Sequence, residues 1–114
     1  MSITKRQMAQ TLRKAAKIVD EKWMQGEYHK DGKFCAIGAV EQASGYRDGG
    51  KLVHWEMRSN ELDMATEDAL TRYLQLRFNA GGVITWNDEE GRTSKEVASA
   101  MRGAARWLEH GEVL

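Results

Sequence analysis

Residues 4–26 of the chain read TKRQMAQTLRKAAKIVDEKWMQG, and this stretch alone predicts a long amphipathic helix. Thr4 and Gln7 have the spacing of a capping box, which satisfies free backbone N–H groups at a helix start. Apolar side chains then recur at helical spacing along one stripe: Met8, Leu12, Ala15, Ala16, Val19 and Trp23. Gly26 follows as a C-terminal stop. The predicted helix therefore runs from about Thr4 to Met24.

Three further segments of the chain carry helical signals. The second predicted helix runs from about Cys35 to Ser44, and it is apolar over most of its circumference, as is typical of a buried helix. Gly38 within it costs about 1 kcal/mol of helix propensity relative to alanine, so we expect another backbone to pack against it. The third predicted helix runs from about Glu61 to Asn79. The fourth begins at a second capping box, formed by Thr93 and Glu96, and runs to about His110. Gly45 and Gly111 follow the second and fourth helices as stops.

Strand signals are short and lie between these helices. Residues 51–58 alternate imperfectly between polar and apolar side chains, and Val83–Trp86 is a β-like run. Asp31 and Gly32 mark a tight turn before the second helix. The predicted fold class is mainly α: a four-helix compact domain over residues 1–114, with at most a minor two-stranded β element formed by the two short runs.

Composition narrows the classes of function. The 114 residues carry 17 basic and 17 acidic side chains, so no overall field draws the chain to nucleic acid or to a membrane surface. Arg6, Arg13 and Lys17 make one face of the first helix basic, which is either a phosphate contact or, more commonly, a solvated surface. No apolar run reaches the roughly 18 residues that a membrane helix needs. The single cysteine excludes an intramolecular disulfide and favours a reducing compartment, so we expect a cytoplasmic protein.

Cys35 is the one residue with nucleophile chemistry in a suggestive position. It lies where a helix begins, and the free N–H groups and dipole there favour a thiolate and lower the thiol pKa. The turn after His29 allows that imidazole to fold back toward Cys35 as a base. The alternative function is therefore a cysteine-dependent hydrolase or transferase with Cys35, His29 and Asp88 as its catalytic residues. The structural alternative is a small buried residue entering a packed helix. No other catalytic pattern is present, so the sequence leans against an enzyme without excluding one.

The sequence predicts no metal site and no cofactor. One cysteine and three scattered histidines include no pair at zinc-type spacing. The glycine pairs at 49–50 and 81–82 lack the strand–glycine–helix context of a phosphate-binding loop.

A second apolar stripe on the third predicted helix is a candidate for binding. Leu70, Leu74 and Phe78 follow one another at four-residue spacing, apart from the stripe expected to face the core. They are either buried within the monomer by another element or exposed as an interface with another protein or a second copy.

The segment Trp86-Asn87-Asp88 is distinctive. Trp86 is expected to fill the core, and an Asn-Asp turn can bond its own backbone and cap the next helix. The functional alternative places Asn87 and Asp88 at a ligand or catalytic site.

Three segments of the chain together resemble a known family. They are WMQGEY at 23–28, GKFCAIGA at 32–39, and ITWND at 84–88 with Arg92-Thr93 after it. This combination resembles a family of small uncharacterised bacterial and phage proteins with W-x-Q-G-x-Y, C-A-x-G-A and W-N-D…R-T segments, over residues 19–45 and 83–105. The resemblance brings no assigned activity. It implies that the segments meet in one structure, with the following residues close together: Trp23, Cys35, Trp86, Asn87 and Asp88.

The function predicted from these patterns is a small intracellular protein-binding module. Its partner is expected to be another protein or a second copy of the chain, and not nucleic acid or a membrane. The setting that the resemblance implies suggests a phage or mobile-element accessory protein, or an inhibitor of a host protein. The candidate binding residues are Leu70, Leu74, Phe78, Trp86, Asn87 and Asp88.

Overall fold

Helices dominate the part of the chain that the computed structural model describes, which is residues 3–49, 51–52 and 57–111. In chain order the elements are α1 (Lys5–Lys22), β1 (His29–Lys30), β2 (Lys33–Phe34), α2 (Ala36–Ser44), β3 (Arg47–Asp48), β4 (Lys51–Leu52), α3 (Met57–Phe78), α4 (Val83–Asn87) and α5 (Ser94–His110). The prediction of a mainly α fold with minor β structure is confirmed. None of the described helices is long and apolar enough to cross a lipid bilayer.

The two amphipathic helices α1 and α5 make the most extensive helix–helix contact of the fold. Each begins with the capping box that its sequence predicts, at Thr4 for α1 and at Thr93 for α5. Their apolar faces pack together in the core, and an exposed ion pair of 2.5 Å joins Arg13 to Glu109 across them. Most of the stability must come from the packing, since exposed ion pairs contribute little.

The third predicted helix is longer than expected, because α3 begins at Met57. Leu70 and Leu74 lie in the core at 1% and 0% exposure. Tyr73 packs so closely on α5 that a Cβ added to Gly103 would lie 2.3 Å from its hydroxyl oxygen. Leu70, Tyr73 and Leu74 are therefore buried against other elements, whereas Leu76 and Phe78 near the end of α3 are exposed.

A tight hairpin leads from α1 into α2. Its strands β1 and β2 pair antiparallel across the turn at Asp31 and Gly32, whose φ angles of 51° and 77° are left-handed. The preceding loop passes directly over α2: a Cβ on Gly38 would lie 1.8 Å from the carbonyl oxygen of Tyr28. The prediction that a second backbone packs against Gly38 is confirmed.

The predicted strand pairing is wrong in two respects. Val83–Trp86 belongs to the short helix α4, in which the N–H of Trp86 donates to the carbonyl of Gly82 at 3.0 Å. Lys51 and Leu52 do form a strand, but its partner is β3, which immediately precedes it. A short apolar run does not distinguish helix from strand by its pattern alone. Residues 53–56 of the predicted strand lie outside the described residues.

Candidate functional site

A single buried asparagine joins three segments of the chain. The side chain of Asn87 is 0% exposed. Its Oδ1 accepts hydrogen bonds from the indole Nε1 of Trp23 at 2.8 Å and from the backbone N–H of Ala36 at 3.0 Å. Its Nδ2 donates to the carbonyl of Met24 at 3.3 Å and to Asp88 Oδ1 at 2.9 Å. All four hydrogen-bonding positions of the amide are therefore occupied.

This network corrects one interpretation of the sequence and supports another. The Asn87 side chain does not bond the backbone of its own turn, and the residue that caps α5 is Thr93. Asn87 reaches the loop after α1 and the first residue of α2, at Ala36, so the three segments that carry the resemblance do meet. Sequence spacing gave no sign of these partners, which lie more than fifty residues away.

Asp88 is fixed by the same network but lies at the surface. Its Oδ1 accepts a second hydrogen bond, from the N–H of Gly26 at 3.0 Å. The side chain of Gln25 donates to the carbonyls of Asn87 and Glu89 at 3.0 and 2.9 Å, which ties the same loop to the end of α4. Among the described residues none donates a hydrogen bond to Asp88 Oδ2. One carboxylate oxygen is thus held in place while the other remains available to a ligand.

Trp86 is buried between an aromatic ring and a guanidinium group. The ring of Phe78 stacks on it with centroids 5.6 Å apart, and the guanidinium carbon of Arg92 lies 4.1 Å from its centroid. Arg92 also donates from Nε to the Trp86 carbonyl at 2.9 Å and pairs with Glu89 and Glu96. Trp86 is only 6% exposed, so it belongs to the core and packs beneath the exposed ring of Phe78, as expected of a residue that fills the core.

Two cavities adjoin at Asp88. One of about 360 Å³ lies between the loop after α1 and α4, and its lining includes Tyr28, Ile84 and Asp88. A second of about 700 Å³ is bordered by Phe78, Trp86 and Asp88. Tyr28, Phe78 and Ile84 are 52%, 44% and 45% exposed, which is unusual for large apolar side chains gathered in one region. We call Tyr28, Phe78, Ile84 and Asp88 together the α4 surface.

Two residues predicted as binding candidates lie elsewhere. Leu70 and Leu74 are core residues, so they offer no surface to a partner. Phe78, one turn further along α3, emerges from the core and contributes to the α4 surface. Of the stripe Leu70, Leu74 and Phe78, the first two are therefore buried within the monomer and Phe78 is not.

Cys35 borders the smaller cavity but lacks the features of a nucleophile. It is 4% exposed and occupies the N-cap of α2, where its Sγ accepts a hydrogen bond from the N–H of Gly38 at 3.5 Å. Burial raises the pKa of this thiol more than the backbone N–H groups lower it, so the expected lowering is wrong. His29 is exposed on β1, and no hydrogen bond of the described residues joins it to Cys35. The arrangement favours the structural alternative.

Sequence reasoning missed a cluster of three acidic side chains. Glu41 on α2 and Asp63 and Glu67 on α3 each contribute a carboxylate oxygen, and these oxygens lie within 4.8 Å of one another. The four-residue spacing of Asp63 and Glu67 predicts that those two share a helix face. Nothing in the sequence indicates that α2 brings Glu41 to the same place.

Fold and site together define a small, mainly α-helical protein whose connecting segments converge on one buried asparagine. The chain belongs to a family of unknown function (DUF6197), whose model matches residues 4–106. The match spans all three converging segments. No curated protein and no solved structure matches the chain.

Proposed function

We propose that the protein is a protein-binding module whose α4 surface receives a segment of a partner protein. The observation that carries the proposal is the grouping of apolar side chains. Of the five large apolar side chains that are exposed among the described residues, three line the two cavities that share Asp88. Scattered apolar residues are normal on a protein surface, whereas grouped ones with a polar border are typical of interfaces.

The charges of the surface indicate the chemistry of the partner segment. Glu27 and Asp88 line the smaller cavity together with the apolar Tyr28 and Ile84. A lysine or arginine side chain entering this cavity would place its apolar stem against Ile84 and its charge beside the carboxylates. The larger cavity is bordered by the rings of Phe78 and Trp86, so an apolar side chain is expected there.

The rigidity of the site supports binding. Asp88 Oδ1 is held by two hydrogen bonds, and the residue beside it, Asn87, is completely buried. A ligand group that meets a fixed carboxylate does not have to order it on binding, which reduces the entropic cost of association. The proposed partner segment therefore carries a basic residue next to an apolar one.

The setting proposed for this module is the cytoplasm of a bacterial or phage-infected cell, where it acts as an accessory protein or as an inhibitor of a host protein. The support is the resemblance of its three converging segments to small bacterial and phage proteins. A second copy of the chain is the competing occupant of the α4 surface, and light scattering over a range of concentrations distinguishes the two.

Selection from a random peptide display library tests the proposal. Peptides retained by the wild-type protein are expected to be enriched in a lysine or arginine beside an aliphatic or aromatic residue. Their affinity is expected to fall at least tenfold for Ile84→Ser and for Asp88→Asn, which keeps the Oδ1 acceptor but removes the charge. Matched controls are Leu76→Ser and Asp68→Asn, two exposed positions on α3 outside the surface. Equal losses in variants and controls, or no enriched motif, would refute the proposal.

A further inference from the structure

The acidic cluster of Glu41, Asp63 and Glu67 lies at the packing contact of α2 with α3, away from the α4 surface. Glu41 and Asp63 are 8% and 2% exposed, while Glu67 is partly exposed. Carboxylates are rarely this buried unless they are paired or bind a cation. The cluster therefore needs either a partner of positive charge or a proton that neutralises one of its carboxylates.

Two oxygen atoms of the cluster lack any such partner. Glu41 Oε1 and Asp63 Oδ1 are buried and accept no hydrogen bond from the described residues. Buried side-chain oxygens are hydrogen-bonded in the great majority of cases, and a bound water or ion is among the explanations of an exception. Both atoms belong to carboxylates whose oxygens converge within 4.8 Å.

The charges at the cluster leave room for a doubly charged ion. Arg47 pairs with Glu41 through a contact of 3.0 Å between Nε and Oε2. Among the described residues, Arg47 is the guanidinium that pairs with the cluster, so two negative charges remain there when all three carboxylates are ionised. Three ionised carboxylates whose oxygens lie within 4.8 Å of one another repel each other, and a cation bound among them would relieve that repulsion.

We propose that Glu41, Asp63 and Glu67 bind one hard divalent cation of the Mg²⁺, Ca²⁺ or Mn²⁺ type. The donors are all carboxylate oxygens, which these ions prefer, and the set lacks the sulfur and imidazole ligands typical of zinc. The partly exposed Glu67 gives the ion a path from solvent, and water completes its coordination. This site is independent of the proposed function, because it shares no residue with the α4 surface. A bound ion would join α2 to α3.

Titration of the metal-free protein with Mn²⁺, followed by electron paramagnetic resonance, tests the proposal. One Mn²⁺ per chain is expected to bind and to be displaced by excess Mg²⁺ or Ca²⁺. Asp63→Asn is expected to weaken binding at least tenfold, whereas Asp68→Asn, the same change at an exposed position of the same helix, leaves it unchanged. Absence of binding at millimolar Mn²⁺, or equal affinity in the two variants, would overturn the proposal.

Thermal unfolding gives a second measurement that does not depend on Asp63→Asn being folded. At a concentration one hundred times Kd, Mn²⁺ is expected to reduce the unfolded fraction of the wild-type protein about a hundredfold. Glu67→Gln is expected to lose most of this effect, and Glu61→Gln, an exposed position on α3, is expected to retain it. The competing explanation is a proton shared between Asp63 and Glu67. If Glu67→Gln stabilises the protein and the wild type is indifferent to Mn²⁺, the shared proton is correct and the metal site is refuted.

Discussion

Replacing Asn87 with alanine is expected to be among the most damaging single substitutions in this protein. The change removes all four hydrogen bonds of the amide and leaves the N–H of Ala36, the indole N–H of Trp23 and the carbonyl of Met24 without their partner. Each unpaired buried group costs about 1–3 kcal/mol. Trp23 and Met24 are only partly buried, so water can reach them and their costs belong at the lower end.

The expected loss is therefore about 3–5 kcal/mol, against a total stability of about 5–15 kcal/mol for a domain of this kind. Urea unfolding followed by tryptophan fluorescence measures it as a lower midpoint at an unchanged slope. The matched control is Asn60→Ala, at an exposed position on α3, which is expected to stay within about 0.5 kcal/mol of the wild type. A loss below about 1 kcal/mol for Asn87→Ala would refute the conclusion that Asn87 holds the three segments together.

Three further predictions concern close packing, the core stripe and the thiol. Gly38→Ala is expected to cost several kcal/mol in the same urea assay, because the added Cβ would overlap the Tyr28 carbonyl. The control Gly81→Ala is expected to be tolerated, because no atom lies within 4 Å of a Cβ added there. Similar losses of stability in the two variants would contradict the close contact at Gly38. Leu74→Asp is expected to prevent stable folding, whereas Leu76→Asp, at an exposed position, is expected to leave the protein folded. Circular dichroism measures both outcomes, and a folded Leu74→Asp variant would contradict the placement of Leu74 in the core. Since burial raises the pKa of Cys35, iodoacetamide at pH 8 is expected to modify it only after unfolding, and rapid alkylation of the native protein would revive the enzyme alternative.

Four of the five described helices were predictable because their signals are local, whereas α4 was predicted as a strand. Thr93 and Glu96 form the predicted capping box, and Gly45 and Gly111 end α2 and α5 in left-handed conformations. Gly38 was informative for a different reason, since a glycine that weakens a buried helix implies a close neighbour. Each of these inferences depends on residues near one another in sequence.

The candidate sites were less predictable because they depend on packing between distant segments. Asn87 was expected to bond its own turn, and only the approach of the loop after α1 shows that its partners are elsewhere. The pKa of Cys35 was expected to be lowered because the residue lies at a helix start, but the depth of its burial, which raises the pKa, depends on how distant segments pack. Glu41 meets the acids of α3 only because α2 packs against that helix. Phe78 and Asp88, two of the four residues of the proposed α4 surface, are also among the binding residues predicted from the sequence.

The central claim is that the α4 surface binds a partner segment, and amide chemical-shift mapping tests it most directly. A peptide obtained from the display selection is titrated into ¹⁵N-labelled protein. The largest shift changes are predicted at residues 26–28 and 83–88, with small changes on the basic face of α1. Changes concentrated on α1, or spread evenly over the chain, would contradict the claim.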